Sequence, residues 1–153
     1  MAQDAIELLK ADHEEVKGML EELTSTTPQA TKTRPELLQK IAKELKIHTK
    51  IEEEIFYPAF KNSGGADHNT MNYEAREEHR AVEALVLPDL EKTDPATDEF
   101  SGRAKVLKEM VEHHAEEEEE SMFPVAKESF TTEQLEELGQ QMAARKQELQ
   151  AQM

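Results

Sequence analysis

HTKIEEEIFYP, residues His48 to Pro58, is the stretch from which the rest of the chain can be read. It sets a histidine and a glutamate four positions apart in a run of helix-forming residues. Residues at i and i+4 share a helix face, so His48 and Glu52 point the same way. They fall in the stripe that carries Leu37, Ile41, Leu45, Ile55 and Ala59, so that way is inward. A buried imidazole beside a buried carboxylate calls for a metal, a catalytic dyad or a structural ion pair, because an unpaired buried charge is very costly. The stretch returns as HAEEEEESMFP, His114 to Pro124.

Outward from it, the spacing predicts four long amphipathic helices and a fifth at the end. The first starts at Asp4, an N-cap with Glu7 three residues on. Its apolar positions are Ile6, Leu9, Val16, Leu20 and Leu23, and His13 fills the one gap in that stripe. Residues 24–35 are polar with two prolines and read as a loop. The second helix begins near Pro35, a favourable first residue, and stops at Asn62-Ser63-Gly64-Gly65. The third runs from about Asn69 to Leu87 on Asn72, Ala75, His79, Val82 and Val86, with Pro88 ending or kinking it. The fourth runs from about Pro95 to Met122 on Leu107, Val111, His114, Glu118 and Met122. Thr131 with Gln134 opens the last, whose stripe is Leu135, Leu138, Met142 and Leu149. The predicted fold is all-α: an up-down antiparallel four-helix bundle over residues 1–127, and an additional C-terminal helix in 128–153 packed on the bundle or extending it.

The polar residues in these stripes are related by one offset. His13 and His79, His48 and His114, and Glu52 and Glu118 each stand 66 positions apart. The flanks agree. HxxV recurs at His13–Val16 and His79–Val82, an acidic residue (Asp12, Glu78) precedes each of those histidines, and EEE with a following proline recurs at Pro58 and Pro124. The chain reads as an internal duplication, two helical hairpins about an approximate two-fold axis.

Composition narrows the function. A chain of 153 residues is expected to form one domain. With 34 acidic and 18 basic residues the net charge is −16, which argues against nucleic acid and anionic membranes as partners. The absence of cysteine excludes disulfides, thiol catalysis and cysteine-ligated clusters. No basic and apolar leader is visible at the N-terminus, so a cytoplasmic protein is expected.

Four histidines and two glutamates converging in a bundle suit two metal ions. His13 with His48 would serve one ion and His79 with His114 the other, while Glu52 and Glu118 each bridge. A bridging oxide or hydroxide adds a donor and one position per ion stays open. Imidazole and carboxylate suit iron, manganese or zinc, and redox chemistry on oxygen species favours iron. The competing reading is a metal-free bundle with two buried His–Glu pairs. Glu53 and Glu119 are expected to hydrogen-bond behind the ligands. His113, about 100° off the stripe, is expected to be exposed or in a similar supporting place. His68 is expected in a loop with no role, and Tyr57 and Tyr73 fall off the stripe and are not assigned as ligands. Met122, Phe56, Ile55 and Val111 are expected to wall the site. Acid is expected to release metal, because ligand histidines must be neutral.

On these residues the chain resembles a hemerythrin-like protein of the HHE cation-binding domain family. The resemblance rests on His13, His48 with Glu52 in HxxxEEEIFYP, His79, and His114 with Glu118 in HxxxEEESMFP, and covers residues 4 to about 127. It implies a non-heme di-iron centre that binds or processes dioxygen, nitric oxide or peroxide. Oxygen-carrying hemerythrins supply a fifth histidine one turn before the third-helix ligand, where this chain has Ala75. Their second carboxylate is an aspartate one residue beyond the position of Glu118. The resulting site is more symmetric and open at both ions, which disfavours reversible oxygen carriage. The expected function is decomposition of hydrogen peroxide by the metal centre, with no side-chain nucleophile. The alternatives are reversible binding or sensing of dioxygen or nitric oxide, and iron storage or delivery. The expected partner is a small diatomic or peroxide ligand, and the chain is expected to be a monomer or homodimer.

Overall fold

The computed structural model describes residues 3–64 and 66–153. Five helices account for nearly all of them: α1 (Ala5–Thr24), α2 (33–62), α3 (66–91), α4 (98–129) and α5 (Thr132–Gln152). The first four form the up-down bundle, and α5 lies along its outside against α1 and α2. Asp4 caps α1, its carboxylate accepting the Glu7 N–H at 2.8 Å. Thr131 and Gln134 cap α5 reciprocally, as the sequence predicts. No helix among the described residues is long and apolar enough to cross a membrane.

Two helices are longer than their prolines suggest. Pro88 does not end α3, which runs on to Glu91, and α4 passes Pro124 to reach Ser129. Each of α2, α3 and α4 instead contains one widened π turn: Glu52–Phe56, Val82–Val86 and Glu118–Met122. In each case the residue just before the proline donates its N–H five residues back: Tyr57 to Glu52, Leu87 to Val82, Phe123 to Glu118. Proline has no N–H, and its ring clashes with the carbonyl four residues earlier. Widening the preceding turn moves that carbonyl aside and lets the helix continue. The helix starts shift as well. α2 begins at Thr33, so Pro35 is its third residue, and α3 begins at Ala66. α4 begins at Asp98 because Thr97, not Pro95, offers a hydroxyl to cap the Phe100 N–H.

The core is in two parts. One contains Ile6, Leu9, Ile47, Ile51, Phe56, Phe60 and Phe123, and the other Val16, Leu20, Leu23, Ile41, Leu87, Phe100 and Leu107. The histidines and glutamates of the stripes lie between these positions along each helix. At the end of the second part sits Arg34, only 1% exposed. It donates to the Pro95 carbonyl at 2.7 Å, the Thr26 carbonyl at 3.1 Å and Ser101 Oγ at 2.8 Å, so it ties both loops at that end. Its guanidinium lies 4.9 Å over Phe100, the residue 66 positions on.

α5 is held by Leu135, Met142 and Leu149, all buried, and by one close backbone approach. A Cβ on Gly139 would stand 2.8 Å from Asp4 C and 2.9 Å from Ala5 N. A glycine inside a helix normally costs about 1 kcal/mol relative to alanine. Here that sign is expected to reverse. Gly139→Ala should lower stability by about 1–3 kcal/mol as α5 is pushed off α1. Urea denaturation followed by circular dichroism measures it, and an unchanged or higher midpoint would show that the close approach is not required.

Candidate metal centre

The i, i+4 spacing works as the sequence predicts. His48 Nε2 approaches Glu52 Oε1 at 3.0 Å on α2, and His114 Nε2 approaches Glu118 Oε1 at 3.4 Å on α4. α1 and α3 bring one histidine each, and these cross over. His13 Nε2 lies 3.1 Å from Glu118 Oε1, and His79 Nε2 lies 3.2 Å from Glu52 Oε1. Each glutamate therefore faces one histidine from each hairpin. All six candidate residues are gathered in the interior, and none is more than 9% exposed. Two groups of donor atoms result: His13, His48, Glu52 and Glu118, and Glu52, His79 and His114.

These residues suit a cation better than they suit each other. His48 Nε2 and both carboxylate oxygens of Glu52 are buried with no hydrogen-bond partner. The 3.0 Å contact between them is therefore an approach without hydrogen-bond alignment. Orphaned buried polar atoms are rare in native proteins, and three in one spot aim lone pairs at a common point. His79 Nε2 and His114 Nε2 also stand 3.0 Å apart. Imidazole nitrogens and carboxylate oxygens converging this way are a donor set for a first-row divalent metal.

Every one of the four imidazoles is also held from behind. Nδ1 of His13 meets Glu119 at 2.9 Å, and Nδ1 of His79 meets Glu53 at 3.0 Å. Nδ1 of His48 meets Asp12 at 3.2 Å, and Nδ1 of His114 meets Glu78 at 2.7 Å. A carboxylate at Nδ1 keeps the proton there and leaves the Nε2 lone pair facing inward. Glu53 and Glu119 are where the sequence places them. Asp12 and Glu78 are partners that the sequence reading missed, although the repeated acidic residue before each histidine was their signal.

Tyr57 corrects the helical-wheel argument. It is fully buried, its hydroxyl donates to Glu118 Oε2 at 2.7 Å, and it stands 3.3 Å from Nε2 of both His79 and His114. A wheel of 3.6 residues per turn puts it off the stripe. The π turn adds about one residue to that turn, so Glu52 and Tyr57 come onto one face. The corresponding residue of the second hairpin is Phe123, whose ring stacks on His13 at 5.9 Å. His68 is a second correction. It lies in α3, not a loop, with its ring stacked on Phe60 at 4.3 Å and Nδ1 donating to the Phe60 carbonyl at 3.0 Å. His113 is 64% exposed beside Glu117, and Tyr73 is exposed too. Met122 and Phe56 are buried in the core cluster beside the site.

Burial works against charge on His48, His79 and His114, and the carboxylates override it there. Despite burial, Glu52 and Asp12 hold the His48 imidazolium well above the usual histidine range. Despite the same penalty, the adjacent carboxylates of Glu52 and Glu53 lift His79 to about 9. His114 is also raised, by Glu118 and Glu78 against desolvation. Glu52 is held well below the usual carboxylate range: burial raises it, but His48, Glu118 and His79 together outweigh burial. Burial and the charge of Glu118 push the Tyr57 phenol up, so it keeps its proton.

A cavity of about 40 Å³ opens on the four histidines. Val16, Leu45, Val82 and Val111 line it, and each is matched by the residue 66 positions away: Val16 by Val82, Leu45 by Val111. A water needs roughly 10–15 Å³ of such space, so the cavity has room for a small ligand. A wider acidic pocket, with Glu74, Glu78 and Glu117 on its walls, flanks the site at Ala75.

Fold and donor set together define a helical metal-binding protein. The family model for the hemerythrin HHE cation binding domain matches residues 4–126, and the chain belongs to that family. It is 31% identical to the uncharacterized protein Rv2633c of Mycobacterium tuberculosis, over 95% of this chain and 87% of that one. A crystal structure of the Rv2633c homolog from Mycobacterium kansasii, a hemerythrin HHE cation binding domain-containing protein, superposes with a TM-score of 0.84. That pair is 31% identical over 97% of this chain and 88% of the other. A DNA nickase of Nostoc is 26% identical over 94% of this chain, which spans 39% of the nickase.

The shifted groups set a pH dependence. Histidines raised above 6.5 contribute stability that is complete below 6.5 and lost as pH rises through their folded values, about 9 for His79. The lowered Glu52 contributes stability that is complete above 4.5 and lost only in acid. Metal-stripped protein should therefore melt lower at pH 9 than at pH 6. A divalent ion must displace those protons, so the stabilisation it adds should grow over the same interval. Thermal melts at both pH values, with zinc and with chelator, test this. A gain from zinc that is larger at pH 6 would contradict the assignment.

Proposed function

We propose that the protein holds two non-heme iron ions, with an oxide or hydroxide between them, and converts two hydrogen peroxide molecules into two waters and one dioxygen. The observation that carries this reading is the crossing of the donor set, in which Glu52 and Glu118 each face one histidine of each hairpin. In this reading His13 and His48 hold one ion, His79 and His114 the other, and the glutamates span the pair. Iron bound there would supply two-electron chemistry on a small oxygen species.

The chain's residues define what reaches the centre. Asp12, Glu53, Glu78 and Glu119 keep the Nδ1 protons in place and fix the ring orientations. Tyr57 keeps its own proton and donates it to Glu118, which fixes the plane of that carboxylate. Val16, Leu45, Val82 and Val111 keep the cavity apolar and narrow. The same small apolar cavity favours a second reading, reversible binding of dioxygen or nitric oxide. The Nostoc relative's name raises DNA as a target, but a net charge of −16 opposes binding to a polyphosphate.

Iron-loaded protein is expected to evolve dioxygen from peroxide, and His48→Ala or Glu118→Ala to abolish it. Val82→Phe, which fills the cavity, should slow turnover at unchanged iron content. No evolution above free iron, with a reversible change in the optical spectrum on adding dioxygen or nitric oxide, would move the protein to the second reading. Fewer than about one metal per chain after loading would reject the metal centre itself.

A further inference from the structure

We propose that α5 is an electrostatic part of this centre: Lys146 weakens cation binding in the His13–His48 half, so the two ions bind in sequence, the His79–His114 half first. The inference rests on the reading of the six residues as a two-ion site.

The path is short and shielded. Lys146 Nζ lies 2.5 Å from Asp12 Oδ1, and the other oxygen of Asp12 lies 3.2 Å from His48 Nδ1. Asp12 is only 3% exposed. A carboxylate on Nδ1 makes an imidazole a stronger donor at Nε2. An ammonium on that carboxylate draws charge away from the imidazole and places a like charge behind the site of a cation. Asp12 is buried and Lys146 is 21% exposed, so solvent and salt screen this charge only in part.

The matching carboxylate of the other half is treated differently. Glu78 lies 2.7 Å from His114 Nδ1. Among the described residues its charged neighbours are His113, 3.7 Å away and largely exposed, and the carboxylate of Glu117. The six residues repeat at one offset, but their surroundings do not: four donors gather in the His13–His48 half and three in the other, and among the described residues Lys146, with Glu44 and Glu15 also near it, stands behind Asp12. Lys146 is also not the sole anchor of its helix. Leu135, Met142 and Leu149 are buried against the bundle, and Arg145 pairs with Glu54 at 2.8 Å. α5 lies beyond residue 126, where the family match ends, so this contact is an addition to the matched domain. Lys146 is thus a positioning residue acting through Asp12 and His48.

The test is titration of chelator-treated protein with cobalt(II), read by visible absorption and by competition with a chelator. Wild type should bind in two steps. His48→Ala should remove the weaker step and His114→Ala the tighter one. Lys146→Met keeps the aliphatic stem and removes the charge. It should tighten the weaker step about threefold to tenfold, below the 10- to 100-fold effect typical of a directly bonded partner. The tighter step should move by less than about twofold. Lys146→Arg should behave as wild type. Two steps that stay unchanged in Lys146→Met while the melting temperature falls would overturn this inference alone, leaving Lys146 a docking contact. If Lys146→Met does not fold, wild type still decides: equal steps, or a weaker step lost in His114→Ala, overturn the proposal. No cobalt binding by wild type overturns the two-ion reading and this inference with it.

Discussion

Each imidazole of the metal site is gripped at Nδ1 by a carboxylate, and the bundle is arranged around that requirement. Four histidines and two glutamates cannot enter an apolar core singly, because each alone would bring an unsatisfied polar or charged group. They enter as a set in which every ring has a partner behind it and faces a shared point in front. The partners come from neighbouring helices, as with Asp12 of α1 for His48 of α2 and Glu119 of α4 for His13 of α1. Satisfying the polar groups therefore fixes the helix order and register. The two apolar clusters supply the burial, but the polar layer decides which helix lies beside which.

The π turns are the second element of that arrangement. A straight α-helix would carry Tyr57 away from the site and would break at the proline that follows. Widening the turn solves both problems at once. The helix survives Pro58, Pro88 and Pro124, and in α2 the turn rotates Tyr57 onto the face of Glu52. In α4 the same device brings Phe123 against His13. The two hairpins thus share a backbone solution and differ in what it delivers, a hydroxyl on one side and a phenyl ring on the other.

Most of the fold, and the convergence of the candidate residues, were legible in the sequence because they follow from periodicity. His48 with Glu52 and His114 with Glu118 needed only the i, i+4 rule, and the offset of 66 placed His13 and His79 beside them. Tyr57 was not legible because a 3.6-residue wheel assumes that no turn is widened. Pro88 and Pro124, which mark two of the widened turns, read more naturally as helix ends. His68 sits next to glycines in sequence, and only the tertiary stack on Phe60 draws it into α3. Lys146 was out of reach for another reason: its partner is 134 positions away, and nothing local marks a lysine on an outer helix as facing a buried aspartate.

The crossing of the glutamates has a kinetic side. Neither hairpin, α1 with α2 or α3 with α4, owns a complete donor set, since each carboxylate completes itself with a histidine of the other. A cation held between them would therefore be bound by donors of both hairpins, and fraying of a single helix would leave part of its donor set in place. Its residence time would then be sensitive to how readily the two halves part. A change that loosens the seam between the hairpins, even at a distance from the histidines, would be expected to shorten it.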